Sequence, residues 1–276
     1  MSETEAAGAR RRFVAPPRGQ VAAACFAHPL FAGFDGFRDL MDAPGWPAID
    51  ALNMRLPLPD KRFVAQDAAL LADGLHYEVR IGERGRIATR AENWHDLFNA
   101  MVWMRHPATK LALNARQCRH IAAMGPHRRN RAQAALTQFD ETGLVVRVRD
   151  AGLLAAWDRH DWQALFVEAA ALWRDGGIAI AAVVGHALME QQLLPGRRLV
   201  GKCVVVRGDD DAAGVARVAT AIAQGNVLED PLELRPLPLA GIPGWHAGQD
   251  ADFYAQADYF RPRREGRMYP PPLHEP

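Results

Sequence analysis

The sequence contains little of what marks several familiar protein classes. Its three cysteines lie far apart and form no metal-binding pair, which argues against a disulfide framework and for a reducing compartment. No window approaches the roughly 18 apolar residues of a membrane span. Prolines break the apolar stretch after the N-terminal arginines before it could serve as a signal sequence. We therefore expect a cytoplasmic protein with no membrane partner.

Excess charge of one sign is also lacking. The formal net charge is +1, so no bulk field attracts nucleic acid, and we expect no nucleic-acid partner. The chain has no phosphate-cradling glycine loop, no dinucleotide fingerprint and no nucleophile elbow. Cys118 lies in a predicted helix without a histidine–acid relay. These absences exclude several common enzyme classes from first consideration.

The apolar pattern predicts an α+β fold, a helix-rich single domain with a small mixed sheet. We expect a disordered tail over 1–20, one globular domain over 21–264 and a flexible tail over 265–276. From Leu234 onward the chain is rich in proline, glycine and aromatic residues, which predicts irregular structure wrapped over the body. The predicted helices cover 47–55, 93–105, 107–124, 128–139, 151–157, 161–174, 186–194 and 211–224, and the predicted strands cover 144–148, 178–184 and 200–207.

Two further strands are predicted around a polar turn. His76–Ile81 and Arg86–Thr89 flank Gly82-Glu83-Arg84-Gly85, a pattern typical of a β-hairpin. A hairpin followed by a helix with histidine and asparagine has the element order of a ββα-metal nuclease, although the turn is short and no basic groove is evident.

The helix predicted over 93–105 carries a group of polar residues beside its apolar face. His95 and Asn99 are four residues apart, so their side chains can converge on one point. Asp96 adds a carboxylate, and the three together could hold a divalent metal or orient a water molecule. In a purely structural interpretation Asn93 caps the helix, Asp96 complements its positive end, and the other polar groups bond to backbone.

A second group follows a buried strand. His186 and Glu190 are four residues apart in a helix that begins directly after Gly185, at the kind of strand end where α/β-type sites lie. An ordinary contact within the helix is the structural alternative.

Residues between these groups could bind substrate. Arg131 begins a helix after a basic segment and could hold a phosphate or carboxylate, whereas a solvated basic face is the alternative. Asp140 lies on the same helix, in a stretch that also suits an ordinary turn. We expect Lys110 and Asn114 to face the helix predicted over 93–105, across the corner at Pro107.

These residues resemble a known bacterial family, the domain of unknown function 3025. The resemblance covers about residues 25–263 and includes the specific string Asn-Trp-His-Asp-Leu-Phe-Asn at 93–99. It continues through Arg131, Ala135-Leu136-Thr137, Phe139-Asp140-Glu141-Thr142-Gly143, Gly185-His186-Ala187-Leu188-Met189-Glu190, Gly201-Lys202, Pro243-Gly244-Trp245 and Phe253-Tyr254. The resemblance implies a bacterial cytoplasmic protein built as one unit, and it implies no activity.

Two functions stay open at this level. The first is a metal-assisted hydrolase of an anionic, phosphoester-like small molecule. Its catalytic groups would be His95, Asp96, His186 and Glu190, with His95, Asp96 and His186 as ligands of a divalent metal ion, and its substrate would contact Asn99, Asn114, Arg131 and Asp140. The second is a non-catalytic binding or structural protein whose histidine, aspartate and asparagine side chains form a buried hydrogen-bond network. Convergence of the two histidine groups in an open cleft would favour the enzyme.

Overall fold

The structure is a computed structural model that describes residues 13–274. Helix predominates in this part of the chain. The α-helices are α1 (Arg38–Asp42), α2 (Ile49–Asn53), α3 (Ala68–Leu71), α4 (Tyr77–Arg84), α5 (Trp94–Arg105), α6 (Pro107–Met124), α7 (Arg131–Thr142), α8 (Gly152–Arg159), α9 (Ala170–Arg174), α10 (His186–Gln192), α11 (Asp211–Gln224) and α12 (Ala251–Tyr254). Short 3₁₀ helices cover Arg18–Gln20, Ala23–Ala27, Pro29–Phe37, Pro231–Glu233 and Leu239–Gly241, and Ala164–Glu168 is a π-helical segment.

The strands form one small sheet and one pair. They are β1 (Arg62–Ala65), β2 (Arg86–Thr89), β3 (Gly143–Val148), β4 (Ile178–Val183), β5 (Val200–Arg207) and β6 (Arg235–Pro238). The four-stranded sheet has the order β4-β3-β5-β6. Its central pair, β3 with β5, is parallel, whereas β4 and β6 pair antiparallel at the two edges. The predicted α+β class with a small mixed sheet is therefore confirmed.

Apolar burial centres on this sheet. All residues of β3 are buried, as expected for a central strand with neighbours on both sides. Most of the buried apolar side chains of the described residues form one cluster, which extends from Phe26 to Phe260.

The predicted hairpin is wrong. His76 caps α4 by accepting a hydrogen bond from the backbone N–H of Glu78 (3.2 Å), so residues 77–84 are helical. Gly85, at φ +63°, ends α4 in the left-handed conformation that favours glycine. Strand β2 then pairs in parallel with β1, a strand that the sequence analysis missed. The comparison with ββα-metal nucleases loses its structural basis.

Helix α7 begins and ends three residues later than predicted. Asn130 is its N-cap, and the reciprocal bond between Gln133 and the Asn130 backbone completes a capping box. The shift puts Asp140 and Glu141 in the last helical turn, immediately before β3.

Parts of both predicted tails contact the body of the protein. The Arg18 guanidinium lies 4.7 Å from the Trp46 ring and 4.8 Å from the Trp94 ring. Near the other end, Leu273 forms a parallel bridge with Val206. The predictions for residues 1–12 and 275–276 lie outside the described residues. Within residues 13–274, none of the helices has both the length and the apolar character needed to traverse a membrane.

Candidate functional site

The two histidine groups predicted from the sequence meet. Helix α5 packs against α10, and the Nε2 atoms of His95 and His186 are 3.0 Å apart. The two rings are nearly perpendicular, with centroids 4.4 Å apart. Because the two nitrogens share one hydrogen bond, at least one of the rings is neutral.

Glu141 completes a group of three metal-ligating side chains. Its Oε2 atom lies 3.7 Å from His186 Nε2, and one ligand atom from each of His95, Glu141 and His186 lies within 4.8 Å of the others. Two imidazoles and a carboxylate form a donor set that proteins use for catalytic zinc and for iron(II).

Glu190 lies behind this group. Its Oε2 accepts a hydrogen bond from His95 Nδ1 at 3.1 Å, and only 14% of its side chain is exposed. A carboxylate at this position holds Nε2 of the same ring free of hydrogen and fixes the direction in which that nitrogen points.

The close approach of the chain at Gly185 brings Glu141 and His186 together. The backbone N–H groups of Val184 and Gly185 both donate to the carbonyl of Gly143, at 3.0 and 2.9 Å. A Cβ at position 185 would lie 2.6 Å from backbone atoms of Thr142, so only glycine fits without displacing one segment. The end of β4 is therefore held against the end of α7.

Of the three residues, only His186 has a pKa shifted in the direction that favours ligation, because a metal binds deprotonated ligands. Burial lowers the pKa of His186 to about 3, so its ring is neutral at physiological pH. Burial also opposes a charge on His95, but the hydrogen bond to Glu190 and the nearby carboxylates outweigh it and raise the pKa of that ring. Burial raises the pKa of Glu141, although the charge of His95 opposes the effect.

A polar network extends from this group into α6 and α4. Lys110 Nζ donates to Asp140 Oδ1 at 2.5 Å and to Asn99 Oδ1 at 2.9 Å, as expected for a side chain that faces α5. The amide of Asn99 then donates to the hydroxyl of Tyr77 at 3.1 Å. Burial disfavours the charged form of Asp140, but Lys110 outweighs that effect and lowers its pKa.

Glu78 is a buried acid in the same region. Asn114 Nδ2 donates to its carboxylate at 2.6 Å and to its backbone carbonyl at 2.9 Å. Burial raises the pKa of Glu78 to about 7, despite the hydrogen bond from Asn114. A carboxyl group with this pKa can donate or accept a proton near neutral pH.

Most of these side chains, but not Lys110, Asn114 or Glu190, line an open cavity of about 320 Å³. His95, Glu141 and His186 form one part of its wall, and Glu78, Tyr77 and Asp140 form another. Arg129 also lines it, is exposed, and forms no ion pair with any residue in 13–274. The cavity therefore offers metal ligands, a titratable acid and a free cation to a small molecule.

Some predicted site residues have other partners. Asp96 was expected as a metal ligand, but its carboxylate accepts hydrogen bonds from the backbone N–H of Arg90 (2.5 Å) and from the Arg90 guanidinium (2.6 Å). Asp96 lines the cavity, yet Glu141 takes the place that we expected it to fill. Arg131 was expected to hold the anion, but it is exposed, does not line the cavity and binds Asp230 at 2.7 Å.

Glu141, Glu78 and Arg129 are the residues that sequence analysis missed. Glu141 lies in the predicted turn at 139–143, and only the longer helix brings it to the histidines. Glu78 was missed because residues 76–81 were predicted to be a strand, and strand periodicity gives no reason to place Glu78 near Asn114. Arg129 is two residues from the predicted Arg131, and the sequence holds no signal that separates the two.

Comparison with known families agrees with the resemblance. Residues 61–264 match the family described as Protein of unknown function (DUF3025), and the chain belongs to this family. No curated protein and no solved structure matches the chain.

Proposed function

We propose that the protein is a metal-assisted hydrolase that acts on a small anionic substrate, with a phosphoester-like bond as the preferred class. The observation that carries the proposal is the meeting of His95, His186 and Glu141 at the wall of an open cavity. The three residues come from three helices distant in sequence, and one ligand atom of each lies within 4.8 Å of the other two.

The spacing suits one ion. Two ligand nitrogens bound to one tetrahedral zinc ion at roughly 2.1 Å lie roughly 3.3 to 3.4 Å apart. The observed 3.0 Å between the two Nε2 atoms requires a shift of only a few tenths of an ångström. Three protein ligands leave a coordination position for water, the usual arrangement in catalytic zinc sites.

The surroundings of the ligands support the proposal further. With Nδ1 of His95 bonded to Glu190, the Nε2 lone pair is available to a metal. Nδ1 of His186 is buried and has no hydrogen bond within the described chain, although the backbone of Asp140 lies beside the ring. Moving the His186 hydrogen from Nε2 to Nδ1 would release Nε2 for the metal as well.

Roles for the other cavity residues follow from their charge and position. A divalent ion would lower the pKa of a bound water molecule and so supply a nucleophile at neutral pH. Arg129 would hold the anionic group of the substrate. Glu78 would transfer a proton to the leaving group, because its carboxyl group is partly protonated near neutral pH.

A non-catalytic role is the second candidate, and the network of Lys110, Asp140, Asn99 and Tyr77 favours it. These groups satisfy one another without any ligand, as in a buried network that fixes the packing of α5 and α6. The open cavity beside the histidines favours the hydrolase, because a purely structural network needs no access to solvent.

We also propose a bacterial cytoplasmic setting. The bacterial origin rests on the family resemblance. All three cysteines are free thiols, which suits a reducing compartment.

The experiment is a metal analysis of protein purified without a histidine tag, followed by zinc titration. Wild type is expected to bind one equivalent of zinc, whereas His186→Ala and Glu141→Ala bind it at least tenfold more weakly. His246→Ala is the matched control, because His246 is exposed and does not line the cavity. Phosphomonoester and phosphodiester substrates then test hydrolysis.

Stoichiometric zinc binding that is lost in the site variants, with hydrolysis lost in parallel, supports the hydrolase. Absence of metal binding in a folded wild-type protein contradicts it and favours the structural network. Metal binding without turnover of any substrate class supports the site and contradicts the proposed activity.

A further inference from the structure

A second, larger cavity lies beyond α7. Its volume is about 980 Å³, and it shares no lining residue with the histidine cavity. Gln138 of α7, strands β5 and β6, and the segment 258–269 form its walls. A volume of this order is typical of a site for a coenzyme-sized or drug-sized molecule.

Lys202 of β5 is the central cation of this cavity. Its side chain is partly buried, yet its ammonium forms no ion pair and no hydrogen bond with any residue in 13–274. Burial lowers its pKa, and the positive charges of Arg267 and Arg264 lower it further. A half-buried cation repelled by two arginines is costly unless an anion joins it.

The mouth of the cavity carries more positive charge. Five cationic side chains, Lys202 among them, line the whole cavity together with two carboxylates, those of Asp258 and Glu265. Arg264 is exposed and forms no ion pair with a described residue. Arg267 lies 4.8 Å from the centroid of the Tyr269 ring, which holds its guanidinium at the wall.

Much of the remaining lining is apolar. Pro236 and Pro238 of β6 and Val200 of β5 present apolar surface beside Lys202. Leu232 and Met268 lie at the rim with 53% and 82% of their surface exposed, and large apolar side chains this exposed often mark binding surfaces.

We propose that this cavity binds a small amphipathic anion, whose acidic group pairs with Lys202 and Arg264 and whose apolar or planar body lies against the prolines. This ligand site is independent of the proposed hydrolase. Two classes of ligand combine an acidic group with an apolar or planar body in this way, namely alkyl carboxylates and nucleoside diphosphates.

The test uses dodecanoate and ADP as probes, each titrated calorimetrically into the full-length protein. At least one of them is expected to bind with a stoichiometry of one, more weakly at high salt because the contact is electrostatic. Loss of a charge-assisted contact should weaken binding by roughly tenfold or more in Lys202→Met. Lys61→Met removes the same charge from a pair with Asp60 that does not line the cavity, and it should leave binding unchanged.

Arg264→Ala gives a second variant that leaves the core intact, because Arg264 is exposed, and it too should weaken binding. Binding of dodecanoate alone or of ADP alone supports the site and identifies the source. Failure of both probes to bind wild type overturns the proposal. Binding that persists unchanged in both Lys202→Met and Arg264→Ala overturns it as well.

Discussion

Replacing Glu190 by alanine is expected to weaken metal binding without abolishing it. Glu190 does not belong to the group of ligands, since its carboxylate accepts from Nδ1 of His95 on the side of the ring away from His186. Its removal leaves all three ligands in place but frees the His95 ring to rotate and to change tautomer.

The magnitude follows from the contact. A hydrogen bond of 3.1 Å to a carboxylate that is 14% exposed contributes about 1.5 to 3 kcal/mol, as other bonds to charged groups do. That energy corresponds to roughly a 10- to 100-fold loss of affinity, the range found when outer partners of ligating histidines are removed. Glu190→Gln keeps an acceptor and loses the charge, so its affinity should lie between those of wild type and Glu190→Ala.

The assay is calorimetric titration of zinc into tag-free protein, with thermal unfolding of each variant as a check of folding. His186→Ala provides the lower limit of zinc affinity, because it removes one of the three ligands. Glu168→Ala serves as the matched control, since Glu168 is exposed and does not line the cavity. Wild-type affinity in Glu190→Ala, together with loss of binding in His186→Ala, would refute the orienting role of the carboxylate.

Three further predictions concern protons and packing. Glu78→Gln should remove an inflection near pH 7 from the rate profile. Folding raises the pKa of Glu78 from 4.5 to about 7, so the stabilising effect of Glu78 is complete below pH 4.5 and is lost as the pH rises through 7. Above pH 7 the variant should therefore be more stable to urea than wild type. Gly185→Ala should lower the free energy of unfolding in urea by about 1 to 3 kcal/mol and weaken zinc binding, because the new Cβ would displace the segment that carries Glu141 or His186. In the control Gly45→Ala the new Cβ meets no atom within 4 Å, so stability and zinc binding should not change. Burial lowers the pKa of His106 from 6.5 to about 4, so the stabilising effect of His106 is complete above pH 6.5 and about 3 kcal/mol is lost as the pH falls through 4. In urea unfolding, His106→Phe should reduce this loss of stability at acid pH, whereas the change His246→Phe, at an exposed residue, should leave it unchanged.

Periodicity located the regular elements where the signal was local. The stripe of apolar residues in α5, its cap Asn93 and the proline that begins α6 lie close together in the sequence, and the structure has these features as predicted. The apolar run of β4 also specified a strand. The segment at 76–81 failed because a short stretch of mixed residues fits strand and helix periods equally, and the His76 cap and packing against α6 decided in favour of helix.

The site shows the same division. The i, i+4 pairs His95–Asn99 and His186–Glu190 could be identified from spacing alone. Spacing could not show that Glu190 turns to His95 rather than to His186, because that choice depends on how α10 packs across α5. Nor could it separate Asp96 from Glu141, since both are acids at helix ends and only one of them has an arginine beside it.

The sequence by itself determined most of the longer helices, strands β3, β4 and β5, and which of these segments carry histidine, because those properties depend on neighbours a few residues away. The tertiary structure decided which side chains share a cavity. That decision rests on contacts between distant segments, above all the bonds that hold Gly185 against Gly143, and no local pattern encodes them.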